Sequence, residues 1–408
     1  MQRALCRFGG RLDIVVRLRE GSPPGTQQIE IVERKGLGHP DTICDAIAEQ
    51  ISVRLCRHYL DRFGRILHHN VDKILLVGGR ARVSFGGGEI VEPIQIYIAG
   101  RVTREHGGVA IPVDDIAIEA CRDWLRTHMR SLDVDRDIEI VPRLRPGSPD
   151  LTSLFARGDA DPLSNDTACG VGFSPLTDLE RVVLDVERTL NSPSIKQTHP
   201  EIGEDIKVMG LRRGRRIDLT IGCAFVSRFV ADVEDYVRKK AVAEKLALDA
   251  ARRATTHGVH VVINAADDAA RGDVFLTVAG TSAESGDDGE AGRGNRVSGL
   301  ITPYRAMTIE AAAGKNPATH VGKLYNLLAA RVSASLERQV SQVAGAECLI
   351  LGEIGRAIVD PRVVDVCLSV EGIGDEALNK AVTDVVRSEF AHVTDLRQEI
   401  LREQVTLY

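Results

Sequence analysis

Apolar residues recur along this chain at two periods, and stretches of each kind alternate from one end to the other. Over residues 43–63 the positions Ile43, Ile47, Ile51, Leu55 and Leu60 follow a helical spacing, and Asp41-Thr42 supplies a start. Strands are predicted over 73–77 and over 93–99, the second with alternating faces. A helix follows over 116–129, a strand over 137–141, a helix over 176–190 and a long strand over 217–226. Residues 233–256 form a long Ala-rich amphipathic helix, which His257-Gly258 ends ahead of a strand over 259–265. A strand over 274–279 leads into a glycine-rich segment, and helices over 321–343 and 376–392 enclose a strand over 363–370. The order is mixed: an α/β chain of the α+β type, without the strict βαβ rhythm of a doubly wound sheet.

Composition narrows the class. At 408 residues the chain exceeds one ordinary core, so two or three packed units are expected. Its 43% hydrophobic and 27% charged content is that of a soluble globular protein. A net charge of −6 and 4% aromatic residues argue against a nucleic-acid partner. The eight cysteines form no C-x-x-C pair, which argues against structural zinc, and most lie in apolar runs, as reduced core cysteines in the cytoplasm do. No run of about 18 apolar residues occurs, so neither a transmembrane helix nor any other membrane partner is expected. The first 25 residues carry arginines but no apolar stretch of signal-peptide type.

Chemistry concentrates in two places. Residues 281–323 hold Asp287 and Asp288 between glycines, then Arg293 and Arg296, then Lys315 in a Gly-Lys-Asn-Pro turn. Alternating acids and bases on glycine-rich loops suit a metal-bound polyphosphate: Mg2+ takes carboxylates, and phosphate oxygens take Arg and Lys. A solvated loop would read the same way. The second place is Glu33-Arg-Lys-Gly-Leu-Gly-His-Pro-Asp41, which ends where a helix begins. Free N–H groups at a helix start seat phosphates, His39 can donate to a leaving oxygen, and Asp41 can hold Mg2+. The plainer alternative makes Asp41 a cap and His39 a turn residue.

Three further pieces stay open. Arg145-Pro146-Gly147-Ser148-Pro149-Asp150 is either an ordinary turn or a nucleotide loop with donors at Gly147 and Ser148. Asp205 and Lys207 share one face of a strand, as a surface pair or as adenine and phosphate contacts. Asn165-Asp166-Thr167 precedes Gly170-Val-Gly-Phe173, a turn or a loop over a base with Phe173 stacked on it. His68 and His69 are adjacent in a strand and point to opposite faces, which does not suit a metal.

The motifs occur in a fixed order: residues 33–41, His68-His69-Asn70, Val77-Gly-Gly79, Phe85-Gly-Gly-Gly88, Gly147-Ser-Pro-Asp150, Asn165-Asp-Thr167, Gly203-Glu-Asp-Ile-Lys-Val-Met-Gly210, and the block from 280 to 323. This series closely resembles the archaeal-type methionine adenosyltransferases (S-adenosylmethionine synthetases) from residue 28 to the C-terminus, with residues 1–27 outside it as an extension of unassigned role. The resemblance implies three similar α/β units around a pseudo-threefold axis, with mixed sheets covered by helices, and a homodimer with active sites between subunits. It also implies that methionine sulfur attacks ribose C5′ of ATP and that tripolyphosphate is then hydrolysed, with Mg2+, two per site, and K+ as a further activator. A transferase with a changed nucleotide or amino acid, or a silent regulatory homologue, is the competing reading.

By the same resemblance His39 assists departure of the tripolyphosphate, Asp41 ligates Mg2+, and Lys207, Arg293 and Lys315 hold the triphosphate. The loop from Arg145 to Asp150, together with Asp205 and Phe173, faces the nucleoside. Asp287 and His320 face methionine. Three positions depart from the family pattern. Arg145 stands where the loop usually opens with glycine, and Thr319 or His320 stands at a lysine position. Gly322 replaces a metal carboxylate, which leaves Asp288 or a carboxylate of the partner subunit to complete the Mg2+ site.

Overall fold

The strand segments assemble into three sheets of one design. The computed structural model describes residues 12–149, 162–370, 372 and 375–408. In chain order the strands are β1 (Ile14–Leu18), β2 (Ile29–Lys35), β3 (His69–Val77), β4 (Arg80–Ser84), β5 (Gly87–Glu92), β6 (Ile94–Val102), β7 (Glu105–His106), β8 (Val109–Ala110) and β9 (Ile138–Arg145). They continue with β10 (Cys169–Ser174), β11 (Ile202–Arg213), β12 (Arg216–Val226), β13 (Gly258–Ile263), β14 (Leu276–Thr277), β15 (Gly289–Glu290), β16 (Val343–Leu351) and β17 (Val363–Val370). The long helices are α1 (Pro40–Phe63), α2 (Val113–His128), α3 (Asp178–Leu190), α4 (Val233–Ala254), α5 (Val321–Gln339) and α6 (Glu376–Ala391).

The sheets run β1-β17-β16-β10, β13-β12-β11-β2 and β15-β3-β6-β9, while β4-β5 and β7-β8 are separate hairpins. Each sheet is built on a central antiparallel pair. An antiparallel edge strand joins the first member of that pair. A parallel edge strand joins the second. Two helices cover one face of each sheet: α5 and α6 the first, α3 and α4 the second, α1 and α2 the third. Each pair closes its own apolar core. The units interleave, because each antiparallel edge strand leads into the helix of another unit: β2 into α1, β10 into α3, β15 into α5.

Among the described residues some apolar side chains of these sheets stay outside the cores. Val15 on β1, Ile29 and Ile31 on β2, and Leu75 on β3 are exposed, each beside neighbours that point into a core. No described helix is long and apolar enough to cross a membrane.

Two elements differ from the sequence pattern. The strand expected over 274–279 is only Leu276–Thr277, because the N–H groups of Val278 and Ala279 turn instead to the Glu284 carboxylate. The helix expected to reach 343 stops at Gln339, and Val343 already opens β16.

Candidate active site

Helix α1 begins under tight constraint. Residues 36–38 turn the chain from β2 into the helix; Gly38 N–H donates to Glu204 O at 2.9 Å, and Thr281 Oγ1 donates to Gly38 O at 2.7 Å. His39 is the N-cap, its Nδ1 accepting the Asp41 N–H at 3.2 Å. That bond leaves Nε2 as the N–H donor of a neutral ring. Burial, with the nearby Lys35 and Lys207 ammonium groups, lowers the pKa of His39 to about 4 against the pull of Asp41. The imidazole is therefore neutral at neutral pH.

Asp41 is buried but ionised. One oxygen takes Lys35 Nζ at 2.8 Å and the other takes the Glu290 N–H at 2.9 Å. Burial opposes its charge, yet those two bonds outweigh it and hold the carboxyl below its ordinary range. Lys35 Nζ also binds Arg293 O at 2.9 Å, and Asn295 pairs with the Lys35 backbone in both directions. The strand β15 thus lies hard against α1. A Cβ at Gly289 would come within 2.3 Å of the Pro40 carbonyl carbon, so only glycine fits.

The other expected residues of this region gather alongside. Asp205 is buried, its Oδ2 accepting the Ser282 N–H at 2.9 Å and Oγ at 2.6 Å. Burial first, and nearby Asp287, raise its pKa to about 6. Lys207 Nζ lies 3.2 Å from Glu33. Asp287 and Asp288 are exposed, and Asp288 accepts the Gly78 N–H at 2.9 Å. Arg293 is exposed on the same segment. Arg296 is not free in this way: its guanidinium is taken by the carbonyls of Gly292, Gly294 and Thr308. Arg34 likewise binds Glu187 and the Gly299 carbonyl.

Sequence reasoning missed Asp45, one turn beyond Asp41. It accepts the Gly292 N–H at 2.7 Å and so supports the segment that carries Arg293. Burial raises its pKa to about 7. Because that value lies above the unfolded one, the unfolded chain ionises first, and the stability Asp45 lends is lost as pH rises from about 4 to about 7. Asp45→Asn keeps an acceptor for Gly292. Its melting temperature should therefore fall less between pH 5 and pH 8 than that of the wild type, by about 2–5 °C, in thermal scans at each pH.

A second group forms elsewhere. Lys315 pairs with Asn70 at the start of β3, and its Nζ lies 2.5 Å from Asp72 and 3.4 Å from Glu310. Glu49 on α1 accepts the Gly314 N–H at 2.9 Å and binds the buried Lys323, which fixes the Lys315 turn. His320 caps α5, its Nδ1 accepting the Gly322 N–H at 3.2 Å. Burial, then Lys315, lowers its pKa to about 3, and Nε2 lies 3.6 Å from Asp166. The exposed Arg145 ends β9 in register with Arg101, which is itself in register with Asn70. Arg101 reaches toward Pro146 O at 3.4 Å, Gly147 packs on the His68 ring, and Ser148 and Pro149 are exposed. Asp150 lies outside the described residues.

One expected piece falls outside both groups. Phe173 on β10 has the Arg305 guanidinium 4.3 Å from its ring centre, so one face is already covered. His69 is buried among Ser52, the Leu67 carbonyl and Asn316, a packing role. Among the described residues no group of three or more His, Cys, Asp or Glu side chains could hold a metal ion.

The two groups lie apart along one edge of β3. Glu290 pairs with Leu75 and Lys315 with Asn70, a separation of roughly 15 Å of strand. The charges around His39 are Asp41, Lys35 and Lys207, whereas those around His320 are Lys315, Asp72, Lys323 and Lys73. The sequence-predicted residues therefore gather in two separate groups within one chain.

Known proteins resemble this chain over most of its length. The family model described as S-adenosylmethionine synthetase (AdoMet synthetase) matches residues 12–404, which takes in β1. A probable S-adenosylmethionine synthase of Aquifex aeolicus is 52% identical over 358 residues, covering 87% of this chain and 89% of that protein. An S-adenosylmethionine synthase of Aeropyrum pernix is 48% identical over 389 residues, covering 93% and 96%. The solved structure of an unusual S-adenosylmethionine synthetase from Campylobacter jejuni has the same fold, with a TM-score of 0.59 at 16% identity over 92% of this chain and 93% of that one. On this evidence the chain belongs to the S-adenosylmethionine synthetase family, among its archaeal-type members.

Proposed function

We propose that the chain makes S-adenosylmethionine from ATP and L-methionine, by attack of the methionine sulfur on ribose C5′ and subsequent hydrolysis of tripolyphosphate to phosphate and pyrophosphate. The observation that carries this reading is the start of α1: a neutral His39 donor beside an ionised Asp41, with Lys35 and Lys207 around them. A thioether sulfur needs no activating base. What limits the step is orientation and departure of a highly charged leaving group. A neutral imidazole N–H and fixed ammonium groups suit that task, since they meet developing negative charge without moving a proton beforehand.

Mg2+ fits the His39 group through Asp41. Each of its oxygens has one protein donor and so keeps a further lone pair, and Mg2+ commonly takes one or two carboxylates together with phosphates and water. When bound it neutralises charge on the phosphate oxygens. Asp288, or a carboxylate from a second chain, is the other proposed ligand, and K+ activation belongs to the same proposal with no assigned ligand. Asp205, Arg145 to Pro149 and Phe173 are assigned to the nucleoside, and Asp287 and His320 to methionine.

Two such groups in one chain suit a homodimer in which the His39 group of one subunit faces the Lys315 group of its partner. The exposed apolar side chains Val15, Ile29, Ile31 and Leu75 on the sheets offer surface for that contact. The test of the reaction is incubation with ATP, methionine and Mg2+ followed by mass spectrometry. S-adenosylmethionine with equal phosphate and pyrophosphate is expected; AMP, or ADP with phosphomethionine, contradicts the mechanism.

A further inference from the structure

Lys315 is held by two carboxylates of unlike standing. Asp72 belongs to β3, is 3% exposed, binds Nζ at 2.5 Å and gives its other oxygen to Lys73 at 2.8 Å. The sheet fixes it. Glu310 sits 3.4 Å from the same Nζ, with a third of its side chain exposed. It belongs to residues 303–312, a stretch with no helix or strand, whose Ile309 is 93% exposed. Among the described residues its carboxylate makes an ion pair with Lys315. Space around that ammonium is full: a Cβ on Gly322 would stand 3.2 Å from Glu310 Oε2, His320 Nδ1 and Lys315 Cε alike.

Asp72 alone already neutralises a buried ammonium. A second carboxylate on an irregular, exposed stretch adds little to stability. It does place a second anionic oxygen beside the nearly buried Lys315 ammonium. We infer that Glu310 is an internal placeholder: its carboxylate takes the position beside Lys315 that a polyphosphate oxygen takes on binding, and when it is displaced the residues around it, between the anchors at Thr308 and Ala312, move away. The inference rests on the proposed role of Lys315 toward polyphosphate. Glu310 and a phosphate oxygen cannot share one ammonium in a filled pocket without like-charge repulsion, whereas Asp72 has no room to leave its strand.

A residue that competes with the ligand has an unusual signature, because removing it tightens binding. Calorimetric titration of inorganic tripolyphosphate with Mg2+ into the full chain should show Glu310→Gln binding about 3–10-fold more tightly than the wild type, by removal of the occupied state. In the wild type, amide hydrogen exchange between Thr308 and Ala312 should rise when tripolyphosphate is added. Equal or weaker binding by E310Q, with normal binding by the wild type, overturns the placeholder and leaves the reading of Lys315 standing. Unchanged or slower exchange between Thr308 and Ala312 also overturns it. Absence of tripolyphosphate binding in both proteins overturns the placeholder and the proposed role of Lys315 together.

Discussion

Replacing Arg293 by leucine is expected to leave S-adenosylmethionine formation largely standing while slowing tripolyphosphate hydrolysis about 10²–10³-fold, the loss typical of one oriented charge stabiliser. The guanidinium is exposed while the carbonyl of the same residue is anchored by Lys35 at 2.9 Å. Leucine therefore removes the charge and keeps the loop. That charge matters most when P–O–P cleavage builds negative charge on the bridging oxygen. His39→Asn should do the converse. Asparagine is a good N-cap, so α1 still starts correctly, but the Nε2–H donor is lost and sulfonium formation slows by a similar factor of about 10²–10³. Hydrolysis of added tripolyphosphate should survive in that variant. Two single-turnover assays, one per step, separate the outcomes. Equal loss of both steps in both variants would mean that the two residues only hold the substrate.

The helices and most of the central strands were legible because their apolar periods are clean, although β16 was not. In α1 the residues Ile43, Ile47, Ile51 and Leu55 are all buried, as their spacing implies. The antiparallel edge strands were not legible, whereas the parallel edges β9 and β13 were. β2 reads Ile-Glu-Ile-Val-Glu-Arg-Lys, and its charges look like loop until Glu33, Arg34 and Lys35 are seen meeting Lys207, Glu187 and Asp41. β15 has two residues, too short for any period to register. Nor does a single sequence show that three sheets share one pairing scheme, because each sheet is completed by strands from distant parts of the chain.

At the site, residue types were legible and their grouping was not. His39, Asp41 and Asp287 to Arg293 were visible as chemistry on glycine-rich loops, and the structure places them around the start of α1. Asp45 carried a usable signal, since it lies four residues past Asp41 on the same helix face. Asp72, Glu310 and the Glu49–Lys323 pair carried none. Their partners lie far away in sequence, and isolated acids on a strand or loop look like surface. The separation of Lys315 from Arg293 was hidden for a related reason. The two residues lie close in sequence, but residues 297–314 take the chain past other sheets, with Ile301 bridged to Glu33, Arg305 on Glu180 and Ala306 N–H on Glu347, before Lys315 pairs with Asn70.

That separation makes the second large effect, and the most direct test, a complementation experiment. His39→Asn and Lys315→Ala should each cost most of the activity alone, because in the proposed dimer each disables one half of every composite site. When the two variant chains are unfolded together, refolded and allowed to pair at random, half of the dimers carry both variants. Each such dimer has one site with two lesions and one site with none, so about a quarter of wild-type activity should return. The assay is S-adenosylmethionine formation at matched total protein, with each variant refolded alone as the control. Recovery of about that fraction is what a site shared between subunits requires. No recovery from well-folded mixed dimers would place His39 and Lys315 in one and the same site of a single chain and would contradict the account.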